Sequence, residues 1–280
     1  MSQTEIREQL GRDELFGSPW CSPPDSLTLG SDEVHVWRAS LNCTEAKVQV
    51  LKQTLVAEEL RRTGRYHFQK DREHFIVARG LLRTILGRYL DMEPGQLRFC
   101  YGPHGKPALA RDPGEDGLRF NLSHSHGLAL FAVSRGRELG VDLEYIEAHL
   151  ADDQIAERFF SPREVALLRD LPKDVQREAF FIFWTRKEAF IKATGKSLSL
   201  PLNQFEVSLV PGKPIVLLST NGDHQKASRW SLQPLAARSG YAAALCVEGH
   251  DWRLKSWQWS ESSEAGVHSS DLLKAFLKTQ

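Results

Sequence analysis

The chain has 280 residues, with 36 lysines and arginines against 36 aspartates and glutamates, and so a formal charge of zero. An apolar share of 41% and a charged share of 26% exclude global disorder. Zero net charge argues against wholesale binding to nucleic acid or a membrane surface, because that affinity rests on many cationic contacts. Residues 1–30 are polar, with Pro, Ser and Gly in SPWCSPPDSLTLG, and read as an arm that Trp20 can anchor to the body. VHVWRASL alternates as a strand, and helical patterns follow over 44–62 and 71–90. LRFCYG reads as a strand and GPHGKP as a loop. LRFNLS and GLALFAVS read as strands joined by the polar turn HSH.

The second half repeats that order. ELGVDLEY is a strand, IAERFFSPREVALLRDL and DVQREAFFIFWTRKEAFIKATG are helices, and FEVSL, PIVLLST, RWSLQPL and GYAAALCVEG are strands. Matched points recur about 105 to 113 residues apart, from Val36 with Val141 to Gly127 with Gly240. Internal duplication predicts an α+β fold of two pseudo-symmetric halves, each a small, mostly antiparallel sheet packed with helices, with the functional site at their seam. The expected divisions are an arm (1–30), a first half (31–137), a second half (138–255) and a tail (256–280) ending in a Ser-capped helix. The tryptophans of WRLKSWQW are expected to pack a strand.

Cys21, Cys43, Cys100 and Cys246 lie far apart without a CxxC pair, which predicts free thiols in a reducing compartment. The first residues lack the apolar core of a signal peptide, and no run approaches the ~18 apolar residues of a membrane span. A cytoplasmic location is expected.

In GVDLEY, period-two alternation puts Asp142 and Glu144 on one strand face and Val141 and Leu143 on the other. The helix rich in Phe and Trp carries Glu188 and, one turn on, Lys192 on the same face. Solvated edge carboxylates and a surface ion pair account for both patterns. The functional reading is three hard oxygen ligands (Asp142, Glu144, Glu188) for Mg²⁺ on a diphosphate, with Lys192 neutralising phosphate charge. Groups for the opposite wall lie in the first half: Lys106 on a Gly-Pro loop, and Asn121, Ser123 and His124 at a strand end. Arg61, Arg62, Arg65, Lys70, Arg79 and Arg83 read mainly as a solvated helix face, from which Lys70 and Arg79 could reach a terminal phosphate. The other histidines, His74 among them, show no ligand spacing and read as structural or exposed, with His126 open. No GxSxG, GxxxxGK[ST] or GxGxxG occurs, which excludes elbow-type hydrolase, P-loop and dinucleotide readings.

The order of motifs is more specific than any one of them: GKP, FNLSHS, GVDLE, RFFSPRE, then FWTRKEAFIKATGKSLSLPL. In this order, and with WTRKEAFIK after the GVD strand, the chain resembles the larger, surfactin-synthetase-activating type of 4′-phosphopantetheinyl transferase over roughly residues 34–250. The resemblance implies a Mg²⁺-dependent enzyme, with Mn²⁺ as an alternative, that moves 4′-phosphopantetheine from coenzyme A to a serine of apo acyl or peptidyl carrier proteins. Adenosine 3′,5′-bisphosphate is released, and a monomer is expected. It further implies Asp142, Glu144 and Glu188 as metal ligands, Glu188 as the group assisting serine deprotonation, and Lys192 at the leaving phosphate. Lys106, Ser123 and His124, with Lys70 and Arg79, fall at coenzyme A phosphate positions. Glu164 falls at a position given a catalytic or acceptor-side role, although its place in SPRE suits N-capping equally. Arg158, Arg163, Arg169, Lys173 and Arg177 are candidates for carrier docking. Two alternatives remain: a non-catalytic coenzyme A or carrier-protein binding module, and another Mg²⁺-dependent phosphotransferase acting on a different diphosphate.

Overall fold

The computed structural model describes residues 19–110, 117–147, 153–196, 200–208, 217–220 and 224–260. The expected Ser-capped helix near the chain's end lies outside these residues. The first half holds β1 (Glu33–Ser40), α1 (Glu45–Gln53), α2 (Ala57–Thr63), α3 (Gln69–Leu90), the short pair β2 (Phe99–Tyr101) and β3 (Pro107–Leu109), and the hairpin β4 (Leu118–Ser125) and β5 (Leu128–Arg135). The second holds β6 (Leu139–Tyr145), α4 (Asp153–Phe159), α5 (Pro162–Asp170), α6 (Lys173–Thr194), the pair β7 (Phe205–Val207) and β8 (Leu217–Thr220), α7 (His224–Ala227), β9 (Trp230–Pro234) and β10 (Tyr241–Glu248). The strand β11 (Arg253–Gln258) follows.

The pseudo-symmetry is visible in the topology. One sheet runs β11-β1-β5-β4 and the other β6-β10-β9, so that β1, β5 and β4 correspond to β6, β10 and β9. The long helices α3 and α6 have 22 residues each, and each ends on a left-handed residue, Asp91 and Gly195. Alternation along the strands builds two apolar faces per sheet. Val34, Val36, Leu128 and Leu130 meet Val141, Leu143, Ala243 and Leu245 in a core between the sheets. The outer faces pack against α3 on one side and α6 on the other. The order of layers is therefore helix, sheet, sheet, helix.

Two expected helices are interrupted. The 44–62 pattern breaks after Gln53, where the Thr54 hydroxyl bonds back to the Leu51 carbonyl and the Glu59 carboxylate accepts from the Val56 N–H. Local side-chain bonding here outcompetes continuation of the helix. The 155–171 pattern breaks at Ser161, which caps α5 in a reciprocal box with Glu164 just before Pro162. The expected boundary at 255 falls inside β11. That strand pairs in parallel with β1, Trp37 opposite Trp257, and belongs to the first half's sheet. Its Trp257, with Trp259, packs against Trp37, while the indole of Trp20 donates to the Ala236 carbonyl at 2.6 Å and fastens the end of the arm.

Candidate active site

The site forms where the edge strands of the two sheets, β4 and β6, run side by side. Alternate residues of β4 reach across to β6 in a ladder made by side chains. Asn121 Oδ1 accepts from the Val141 N–H at 2.9 Å, Ser123 Oγ donates to Asp142 Oδ1 at 3.0 Å, and Ser125 Oγ donates to Glu144 Oε2 at 3.1 Å. The NLSHS motif thus closes the seam and at the same time orients both strand carboxylates.

Helix α6 brings the remaining groups. It lies so close to β6 that a Cβ at Gly140 would sit 2.1 Å from the Ala189 carbonyl oxygen and 2.3 Å from the Ala193 nitrogen. Only glycine permits this approach, which sets Glu188 and Lys192 over Asp142. Lys192 Nζ donates to Asp142 Oδ1 at 2.6 Å and to Ser123 Oγ at 2.9 Å. Glu144 is pushed up to about 7 by burial first and by the Asp142 charge second. Glu188 is also raised, by burial and then by Asp142. Three carboxyl groups therefore share one poorly solvated recess, with one ammonium set against them.

Asp142 is 2% exposed, and its Oδ2 is a buried acceptor without a hydrogen-bond partner. An orphaned carboxylate oxygen beside two glutamates held above their ordinary range is a donor set that a hard divalent cation would satisfy. Among the described residues no three acidic, imidazole or thiol groups are gathered tightly enough to enclose an ion as they stand. Asp142 Oδ1 is taken by Lys192, so the carboxylates fit a cation without forming a closed cage.

The cationic wall is partly as expected. His124 is exposed at the cleft, yet its ring is held below the ordinary imidazole range by desolvation first, then by Lys192 and His74. His74 lies one helical turn after Lys70 and is lowered by burial first and by the Lys70 charge second, and its Nε2 is 3.0 Å from Asn42 Oδ1. Lys70, His74, His124 and Lys192 thus form a succession of mutually repelling basic groups. Sequence reasoning missed His74, although its i, i+4 spacing from Lys70 was the available signal. Ser125 was missed as well, being hidden in the turn HSH.

Three expected site residues have other partners. Arg79 is 8% exposed, ion-paired to Glu59 and set 4.1 Å over the Phe99 ring. Arg83, at 1% exposure, joins the same Glu59, so this pair is a core feature and not a solvated face. Lys106 lines a cavity of about 260 Å³ with Asn121, Glu188 and Lys192, but its ammonium is bound to Glu138 at 3.0 Å and to the Ala193 carbonyl at 3.1 Å near the end of α6. Glu164 pairs with Lys187, both buried, at 2.8 Å and accepts the N–H groups of Ser161 and Val207. This is a structural role. Ile146, two residues after Glu144, lines a cavity of about 250 Å³ whose walls combine Ile182, Leu235 and Ala242 with Glu178, Arg186 and Arg238.

Among the described residues no helix is long and apolar enough to cross a membrane. Two family models match the chain, the 4′-phosphopantetheinyl transferase superfamily over residues 138–246 and the N-terminal 4′-phosphopantetheinyl transferase model over 37–135. The boundary between them falls at the start of β6. The 4′-phosphopantetheinyl transferase HetI of Nostoc is 44% identical over 240 residues, covering 86% of this chain and 98% of that protein. The 4′-phosphopantetheinyl transferase Sfp of Bacillus subtilis is 29% identical, over 70% of this chain and 83% of that one. A solved holo-[acyl-carrier-protein] synthase from Helicobacter pylori, in complex with coenzyme A, is 24% identical over 40% of this chain and 99% of that one, with a TM-score of 0.31. With both halves matched in order, and a relative aligned along nearly its whole length, the chain belongs to the 4′-phosphopantetheinyl transferase superfamily.

Proposed function

We propose that this protein transfers 4′-phosphopantetheine from coenzyme A to a serine hydroxyl of apo acyl or peptidyl carrier proteins, releasing adenosine 3′,5′-bisphosphate. The observation that carries the reading is the Lys192–Asp142–Ser123 triad, with Asp142 Oδ2 left without a partner beside Glu144 and Glu188. Asp142, Glu144 and Glu188 would hold Mg²⁺, which when bound neutralises charge on the diphosphate. Lys192 would meet the same diphosphate, exchanging Asp142 for the oxygen on which charge develops.

The reaction is a displacement at the phosphorus that carries pantetheine. A bond forms from the serine oxygen to that phosphorus, the bond from it to the bridging oxygen breaks, and the nucleotide leaves with the electron pair. The serine proton passes to the Glu188 carboxylate, directly or through water, and a raised affinity for protons suits that task. Lys70, His74 and His124 would hold the 3′-phosphate, and the cavity past Glu144, with its mixed apolar and polar walls, would receive the pantetheine arm. Both walls come from one chain, which supports a monomer. Catalysis here is chiefly positioning and charge stabilisation, as in other phosphoryl transfers.

Intact mass spectrometry of an apo carrier protein with this enzyme, coenzyme A and Mg²⁺ tests the proposal. The carrier is expected to gain the mass of one phosphopantetheine, and EDTA to abolish the gain. Glu188→Gln should slow turnover by orders of magnitude with an unchanged circular dichroism spectrum. No gain across fatty-acid and peptide carriers would refute transfer, and near-wild-type turnover of the variant would refute the role of Glu188.

A further inference from the structure

The β4–β5 hairpin turns through His126 and Gly127, both with positive φ, 45° and 82°. This is the two-residue pattern of a type I′ turn, whose first position ordinarily takes Asn, Asp or Gly. A histidine there is uncommon, and here four contacts hold it, one of them between its Nδ1 and the Ser125 hydroxyl at 3.3 Å. Its ring lies 4.6 Å from the Tyr145 ring, its Nε2 lies 2.8 Å from Glu147 Oε1, and its carbonyl accepts from the Tyr241 hydroxyl at 3.0 Å. Tyr241 stands opposite Tyr145 in the β6–β10 ladder, with the two rings edge to face at 5.2 Å. The residue before the turn is Ser125, whose hydroxyl donates to Glu144 and accepts from the Tyr145 N–H at 3.1 Å. The hairpin tip of the first half is thus fastened to the last residues of the strand that carries the second half's acids.

From this arrangement we infer that Tyr241 is a positioning residue for Glu144: by holding the His126 carbonyl, its hydroxyl fixes the turn and so keeps Ser125 Oγ against the Glu144 carboxylate. The inference rests on the proposed role of Glu144 toward the metal. A glutamate has three side-chain torsions, and a partner that removes that freedom favours binding to a cation, since outer hydrogen bonds orient ligands. Tyr241 is 9% exposed and its ring is packed, so Tyr241→Phe removes the hydroxyl and leaves the packing. A purely structural tyrosine would lower the melting temperature on such a change and leave cation affinity alone.

The test titrates Mn²⁺ into wild type, Tyr241→Phe, Ser125→Ala and the double variant, with coenzyme A present, and reads the free Mn²⁺ signal by electron paramagnetic resonance. The Mn²⁺ Kd is expected to rise about tenfold in Ser125→Ala and about three- to tenfold in Tyr241→Phe. The double variant should match Ser125→Ala within about twofold, because both changes act through one contact. Unchanged affinity in Tyr241→Phe overturns the inference, as does a double loss equal to the product of the single ones. A wild-type protein that binds no Mn²⁺ overturns the metal reading and this inference together. Tight wild-type binding with unaffected variants overturns the inference alone.

Discussion

His124 comes from β4 and Lys192 from α6, and desolvation first and the Lys192 charge second hold the His124 ring below its ordinary range. In the proposed reading, a phosphate would relieve that repulsion. His124→Ala is expected to weaken coenzyme A by several-fold while leaving 3′-dephospho-coenzyme A nearly unaffected, as read by calorimetric titration of both ligands. Equal losses for the two would show that His124 does not read the 3′-phosphate. Asp142, Glu144, Glu188 and Lys192 were legible in the sequence because period two in a strand and i, i+4 in a helix are local rules. The choices made by Arg79 and Lys106 were not. Each selects among distant acceptors, Glu59 for one and Glu138 with the Ala193 carbonyl for the other, and no local pattern encodes that selection.

Helix α6 presents two adjacent charged residues to opposite destinies. Glu188 turns to the half-open recess, whereas Lys187 is fully buried and donates to Glu164 and to the Leu202 carbonyl at 2.7 Å. The Lys187 ammonium ties α6 to α5 and to the turn before β7, so the helix that carries Glu188 is fixed from its far side. Lys187→Met should cost about 3–5 kcal/mol in urea denaturation, because Glu164 is then buried without its counter-charge. Replacing Glu164 as well, by Leu, should return only part of this loss, since the Ser161 and Val207 N–H groups lose their acceptor. Full recovery would show that the pair matters only as a pair. The breaks at Thr54 and Ser161 were harder to read than the helices themselves, since periodicity continues across both and hydroxyl back-bonding and capping decide the ends. Ser161, with Glu164 three residues on, did carry a readable signal.

Across the molecule, the repeated order of elements was legible because each half repeats its own periodicities. The matching sheet orders follow from it. The parallel placement of β11 was not legible, because nothing in RLKSWQ names its neighbour. β1, lying between β5 and β11, places His35 at 1% exposure against Tyr89 and Glu33, and burial holds its imidazole down to about 4. The unfolded chain takes up that proton near 6.5, the folded one only near 4. Stability from this residue is therefore complete above pH 6.5 and is lost as the pH falls toward 4, by about 3 kcal/mol. Denaturation of wild type and His35→Gln at pH 7 and pH 4.5 reads this directly. The variant should lose markedly less between the two, and an equal loss would contradict the assignment.

β11 has a further consequence, in the order of synthesis. Glu33 pairs with Arg253, 220 residues later, so the edge of β1 has no mate while the ribosome makes everything between them. At roughly 5–20 residues per second that interval is about 10–45 s. During it the nascent first half presents an open edge built from VHVWRA, the sort of template that recruits foreign strands. β11 closes the first half's own sheet, so the sheet begun earliest is the last to be completed.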